Sequence, residues 1–264
     1  MKFKSSLFVG AVALAATSLV AVSANADKLR WKMQRTWGSQ VAINGEAAVY
    51  FSNKVKSISG GDVQLRFHQP NALVPSLEVW DAVKNGSVDA GYTTPGYHAG
   101  KIPAVSYFTA VPFGPGASEY HGWMEYGGGQ QLKDRIYGEY GLKALNCLTH
   151  APETSGWFRK KINNVEELKG MKMRFFGLGA MVMSKLGVST QLLAGGDIYP
   201  ALEKGVIDAT EFSMPTHDLS YGFYQLAKFN YFPGWHQQTS IGELLMSTKG
   251  WGGLTKTQQA VINT

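Results

Sequence analysis

Arg174 is the side chain whose type and position speak most directly of chemistry. It stands near the end of an expected strand, Met171-Lys-Met-Arg-Phe175. A guanidinium offers a planar, permanently charged fork that fits a carboxylate. An internal acid would use the same fork, and the residue alone leaves both roles open. Ligands of open α/β sheets bind beyond the carboxyl ends of strands. That draws attention to residues 91–98 and 210–217, which follow two further expected strands. Catalytic signatures are missing: there is no Gly-x-Ser-x-Gly, no His-Glu-x-x-His and no phosphate loop. Gly127-Gly128-Gly129 lacks the Lys-Ser/Thr of such a loop and instead begins or interrupts a helix. The single cysteine, Cys147, excludes an internal disulfide and a cysteine-based metal cage, and reads as a small buried apolar residue.

The elements that must carry these residues alternate. Leu29, Trp31 and Met33 interleave with Arg30, Lys32 and Gln34, the period of a half-buried strand. Asn44 is expected to cap a helix over 45–57, with Ala47, Ala48, Phe51 and Val55 on one face. Gly60-Gly61 turns the chain into a strand over 63–67, followed by a helix over 77–84 and a strand over 88–92. This alternation predicts an α/β protein. One unit recurs: Glu78-Val-Trp-Asp-Ala-Val-Lys-Asn-Gly-Ser-Val-Asp-Ala90 matches Asp197-Ile-Tyr-Pro-Ala-Leu-Glu-Lys-Gly-Val-Ile-Asp-Ala209. Ala82/Ala201, Gly86/Gly205, Asp89/Asp208 and Ala90/Ala209 are identical pairs at one offset. Each copy reads as a short helix, a glycine that ends it left-handed, and a buried strand. Two such units so far apart predict two similar lobes facing each other across a cleft that a hinge could close.

Of the 264 residues, 44% are hydrophobic and only 17% charged, a balance that argues against a charge-driven disordered chain. Lys2 and Lys4 precede an uncharged, mostly apolar run over 7–22, and Ala24-Asn25-Ala26 supplies small residues for cleavage. Residues 1–26 therefore read as a secretory signal peptide, which makes the rest an exported, soluble protein. Cleavage would take two lysines from a formal charge of +6. The remaining basic residues form no long run, so nothing points to nucleic acid.

Six segments resemble the DctP-type substrate-binding proteins of tripartite ATP-independent periplasmic (TRAP) transporters. They are Ala110-Val-Pro-Phe-Gly114, Glu125-Tyr-Gly-Gly-Gly129, Gly156-Trp-Phe-Arg-Lys160, Leu168-Lys-Gly-Met-Lys-Met-Arg174, Gly195-Gly-Asp-Ile-Tyr-Pro through Ala209-Thr-Glu211, and Tyr231-Phe-Pro-Gly-Trp235. The resemblance is nearest to the branch that takes 2-oxo and 2-hydroxy monocarboxylates. It implies a two-lobe periplasmic-binding-protein-like fold, with lobe 1 over about 27–148, lobe 2 over about 149–236, and a segment then returning between them. It also implies an inner-membrane permease as partner, capture without chemical conversion, and in some relatives a homodimer built on a longer C-terminal helix. Against that pattern, the chain is expected to lack a C-terminal piece.

The resemblance also assigns the site. Arg174 falls on the family's carboxylate-holding arginine. Glu211 and Phe212 fall on its Glu-Trp pair, where the Glu side chain and the next backbone carbonyl help to hold a cation that bridges to the substrate. A sodium or calcium ion suits oxygen ligands there, and Phe212 in place of Trp keeps the carbonyl. Glu153 stands where the branch has Gln, within Thr149-His150-Ala151-Pro152-Glu153. A second acid would favour a divalent ion over sodium, or would meet a hydroxyl or cationic part of another substrate in a metal-free site. Tyr97 and His98 match a Tyr-Trp-Ala-Gly-Lys-like segment and put a phenol at the cleft mouth. Trp37, Phe176, Trp235 and His236 are further candidates for the cleft wall. Rivals are the same receptor binding a dicarboxylate or aromatic acid without metal, a sensory role, and an exported enzyme using Glu153 or His150 as base.

Overall fold

The structure, a computed structural model, describes residues 28–264. The expected signal peptide lies outside the described residues. The first half contains β1 (Leu29–Arg35), α1 (Asn44–Ile58), β2 (Val63–His68), α2 (Val79–Asn85) and β3 (Ala90–Thr93). It continues with α3 (Ala117–Tyr126), α4 (Gly129–Glu139) and β4 (Leu142–His150). Then come β5 (Gly156–Phe158), β6 (Lys172–Arg174), α5 (Gly177–Lys185), β7 (Ser189–Gln191) and α6 (Gly195–Glu203). The last strands are β8 (Ala209–Thr210), β9 (Phe229–Tyr231) and β10 (Ser240–Ser247), with α7 (Pro215–Tyr221) between β8 and β9.

Among the described residues the strands form two five-stranded sheets, ordered β2-β1-β3-β10-β4 and β7-β6-β8-β5-β9. In the first, β1 runs parallel to β2 and β3, and β10 is antiparallel to β3 and β4. In the second, β6 runs parallel to β7 and β8, and β5 is antiparallel to β8 and β9. The chain is thus a mixed α/β protein with two sheets of one pattern, and β10 returns from the second half to the first sheet.

The sequence repeat has a hydrogen-bond counterpart in each sheet. The backbone N–H of Lys32 donates to the Asp89 carboxylate at 2.7 Å, and Asp89 N–H donates back to the Lys32 carbonyl at 3.1 Å. In the second sheet Lys172 N–H donates to Asp208 at 2.9 Å, and Asp208 N–H to the Lys172 carbonyl at 2.7 Å. Gly86 and Gly205 have φ of 80° and 69°, a left-handed turn that glycine enters without a Cβ penalty. Just after each, two backbone N–H groups donate to the carbonyl of Ala82 or of Ala201. The Ala-x-x-x-Gly-x-x-Asp-Ala pattern is therefore a folding unit, which sets the central strand of each sheet against its neighbour.

Cores pack on both faces of the first sheet and behind the second, and one cluster joins Trp37, Ala48 and Tyr92 to Ile198, Phe212 and Phe223 across the two halves. Lys133 and Glu243, both fully buried, pair at 2.8 Å, and Tyr137 hydroxyl donates to the same carboxylate. Cys147 is half-buried, not fully enclosed. Its thiol donates to the Gly242 carbonyl at 3.6 Å, and burial pushes its ionisation upward.

Asn44 departs from expectation. The N-cap is Ile43, and Glu46 reaches back to the Ile43 N–H at 3.2 Å. Asn44, the first residue of α1, instead meets His150 Nε2 through its Oδ1 at 3.1 Å.

Candidate functional site

Parallel pairing of β6 with β8 places Arg174 beside the chain that leaves β8, and Glu211 N–H donates to the Arg174 carbonyl at 3.1 Å. The side chains then turn toward each other. Arg174 Nη1 donates to the Glu211 carboxylate at 3.0 Å and to the Glu211 carbonyl at 2.7 Å, and Nε donates to the Leu193 carbonyl at 3.2 Å. These bonds leave Nη2 unused. The Phe176 N–H donates to the same Glu211 oxygen at 2.9 Å. The guanidinium lies 5.0 Å from the Phe212 ring centre and 5.7 Å from that of Phe176, a desolvated cation between two aromatic faces. Of the two roles left open by the sequence, the pairing with an internal acid is present, and Arg174 also lines a cavity.

A cluster of titratable groups adjoins this pair. His236 Nε2 lies 3.1 Å from Glu153 Oε2 and 3.4 Å from Glu211 Oε1, and one ligand atom from each residue falls within 4.8 Å of the others. Burial pushes the Glu153 carboxyl up to about 7, against the pull of His236. Burial would raise Glu211 too, but Arg174 and His236 outweigh it and hold the group at about 2. Burial would lower His236, and the neighbouring carboxylates instead raise it to about 9. Among the described residues, buried Glu211 Oε1 accepts no hydrogen bond and meets His236 through the 3.4 Å ion contact. Two carboxylates and an imidazole converging on one point form a donor set that fits a metal ion.

These shifts set a pH dependence for the cation-free protein. His236 contributes stability in full below about 6.5, and loses it as pH rises through about 9. Glu153 adds a cost as pH climbs from about 4.5 to about 7. Glu211 contributes above about 4.5 and loses its contribution only as pH falls through about 2. Below about pH 6.5 the buried neutral histidines His98, His150 and His217 oppose this trend, so in chelator the melting temperature should fall from about pH 7 to about pH 9. A cation needs these atoms deprotonated, so the stabilisation by added calcium should grow over the same range. Melting curves with EDTA or calcium measure both slopes, and a steady rise in EDTA would contradict the assignment.

The cavity beside Arg174 is tight, about 30 Å³, and takes its walls from both halves. Of the residues picked out from sequence, Trp37, Tyr97, Glu153, Arg174, Phe176 and Phe212 line it. Tyr97 packs edge-on against Phe176 at 5.7 Å and tilts toward Trp37 at 6.4 Å. Burial raises its phenol to about 12, so it is a neutral donor. Glu211 and His236 stand behind this wall. Two candidates lie elsewhere. His98 is fully buried 5.0 Å from Trp80, where burial lowers it to about 3. Trp235 packs on Phe175 and Phe113 and faces a separate apolar groove.

A polar part of the wall completes it: Asn44, His150, His217 and Gln237 line the cavity as well, all buried. From sequence, His150 was a candidate only as the base of a rival enzyme and His217 only as the end of the stretch beyond β8; the places of Asn44 and Gln237 in the wall were missed. Burial holds the imidazoles toward neutrality, at about 4 for His150 and about 3 for His217, where His150 adds to the effect.

Gly96 shapes the same wall. A Cβ there would fall 2.0 Å from Phe176 Cζ, so Gly96→Ala must drive that ring aside. Overpacking of this kind costs about 1–3 kcal/mol. Lower stability together with weaker ligand binding is expected, measured by thermal melts with and without ligand.

Two α/β sheets of one pattern, with a buried arginine and a small cavity at their junction, define a two-lobed binding protein. The chain belongs to the DctP family of bacterial extracellular solute-binding proteins, family 7, whose sequence model matches residues 34–264. A monocarboxylate 2-oxoacid-binding periplasmic protein of Nostoc sp. (strain PCC 7120) is 35% identical over 274 residues, spanning 100% of this chain and 74% of that protein. A TRAP periplasmic solute-binding protein of Pseudoalteromonas atlantica, solved with sodium and pyruvate, superposes with a TM-score of 0.85 at 35% identity, covering 89% of this chain and 71% of that one. One from Colwellia psychrerythraea with calcium and pyruvate gives 0.84 at 36%, with the same coverage.

Proposed function

We propose that this protein is the periplasmic receptor of a TRAP transporter and captures a short 2-oxo or 2-hydroxy monocarboxylate for an inner-membrane permease. The observation that carries this is Arg174, buried on a small cavity with one guanidinium nitrogen unused and a cation-type donor cluster beside it. In this reading Arg174 takes the ligand carboxylate, Tyr97 donates to it, and Phe176 and Phe212 exclude water. Glu211 Oε1 and Glu153 would hold a cation with the Phe212 carbonyl. Such an ion supplies a positive charge that the carboxylate and the C2 oxygen can share. The relatives solved with pyruvate and sodium or calcium support both parts.

Thermal shift and calorimetry with pyruvate and lactate test the reading. Exhaustive chelation is expected to weaken pyruvate binding about tenfold or more, with calcium restoring it. Absence of stabilisation by any small carboxylate would sink the proposal.

One observation favours a second, metal-free version. His236 sits between Glu153 and Glu211, and its raised proton affinity lets an imidazolium occupy the place of the ion. Metal analysis of the purified protein, with binding unchanged by chelator, would select this version.

A further inference from the structure

We infer that the ligand carries a further uncharged oxygen, a hydroxyl or oxo group on its tail beyond C2, and that Asn44, His150, His217 and Gln237 select for it. The inference rests on Arg174 being the carboxylate anchor. These four side chains line the same cavity as Arg174, and each has a buried polar atom without a hydrogen-bond partner among the described residues: Asn44 Nδ2, His150 Nδ1, His217 Nε2 and Gln237 Nε2.

The unpaired atoms are held in place by the bonds at their other ends. Asn44 Oδ1 and His150 Nε2 meet at 3.1 Å, and His217 Nδ1 meets Ser213 Oγ at 2.7 Å. If His150 donates to Asn44, its Nδ1 is left as an acceptor beside a free amide donor. If the amide lies the other way, the roles exchange, and an acceptor on Asn44 stands beside a donor on His150. Either way the pair offers one donor and one acceptor, the complement of a hydroxyl. An alkyl tail would leave all of these groups unpaired, and burial of such groups is costly.

The wall also argues against a second carboxylate. Among the described residues Arg174 is the only lysine or arginine lining the cavity, and Glu211 and the ligand's own carboxylate already occupy it. The histidines favour their neutral forms. The tight space limits the acid to a short one.

Calorimetry on the unaltered protein compares matched acids: hydroxypyruvate against 2-oxobutyrate, and glycerate against 2-hydroxybutyrate. The oxygenated member of each pair should bind at least about tenfold tighter, since a site built to bond a hydroxyl discriminates strongly against the analogue that lacks it. Asn44→Ala and His217→Phe should shrink that ratio, chiefly by weakening the oxygenated member of each pair. Equal or tighter binding of the alkyl acids to the unaltered protein overturns the inference, whether or not the variants fold. If both acids bind through Arg174 without preference, only the tail selectivity falls. If neither binds, the proposed function falls with it.

Discussion

Arg174→Ala is expected to lower affinity for every carboxylate ligand by roughly 30- to 5,000-fold, the 2–5 kcal/mol typical of truncating one side of a buried charged contact. The size follows from what the arginine does in the cavity. Its bonds to Glu211 and the Leu193 carbonyl fix the guanidinium before any ligand arrives, and Phe176 and Phe212 keep water from its faces. A preorganised, desolvated fork loses little entropy on binding, so most of its attraction reaches the ligand. Arg174→Lys separates charge from shape. It retains a cation but cannot brace on Glu211 and grip a carboxylate with one plane, so it should fall between the two. Calorimetry with pyruvate measures the series, with circular dichroism confirming the fold. Unchanged affinity in Arg174→Ala would remove the arginine from the binding role.

Glu211→Ala should produce the largest loss of stability. The carboxylate is fully buried, receives Arg174 Nη1 and the Phe176 N–H on one oxygen, and points the other toward His236. Removing one partner of a buried ion pair costs about 3–5 kcal/mol, because the remaining charge stays desolvated. For a domain of this size that is a drop of roughly 6–20 °C in melting temperature. Glu211→Gln keeps the shape and an oxygen for the Phe176 N–H, so a smaller loss is expected. Both variants should lose the calcium-dependent part of ligand binding. Melting curves and metal analysis check the two effects separately. A Glu211→Gln protein that retains calcium-dependent binding would remove this oxygen from the cation site.

Local pattern made much of the frame legible. β1 and β2 were visible as alternating apolar and polar residues, because a strand with one buried face writes that period into the chain. The repeated Asp-Ala unit was visible because each copy is stabilised by bonds within a short helix–turn–strand and its parallel neighbour. Arg174 became a candidate through its place at a strand end, Glu211 and Phe212 through the stretch beyond β8, and all three through family resemblance. Asn44 was misread as a cap because its residue type suits that position, while its actual partner, His150, lies 106 residues away. The Glu153–His236 pair spans 83 residues. No local pattern encodes such a meeting.

What the sequence by itself determined is the class of protein: alternating elements, a doubled unit, an arginine at a strand end and the motifs of a solute-binding family. Each of these depends on short-range periodicity or on contiguous residues. What only the tertiary structure decided is the composition of the site. Strand β10 returns to the first sheet, and the segment just before it brings His236 and Gln237 against Glu153. The junction of the two halves sets neutral donors and acceptors into the cavity wall that Arg174 shares. Residue types state which bonds a side chain can make; packing decides which of them are left over for a ligand.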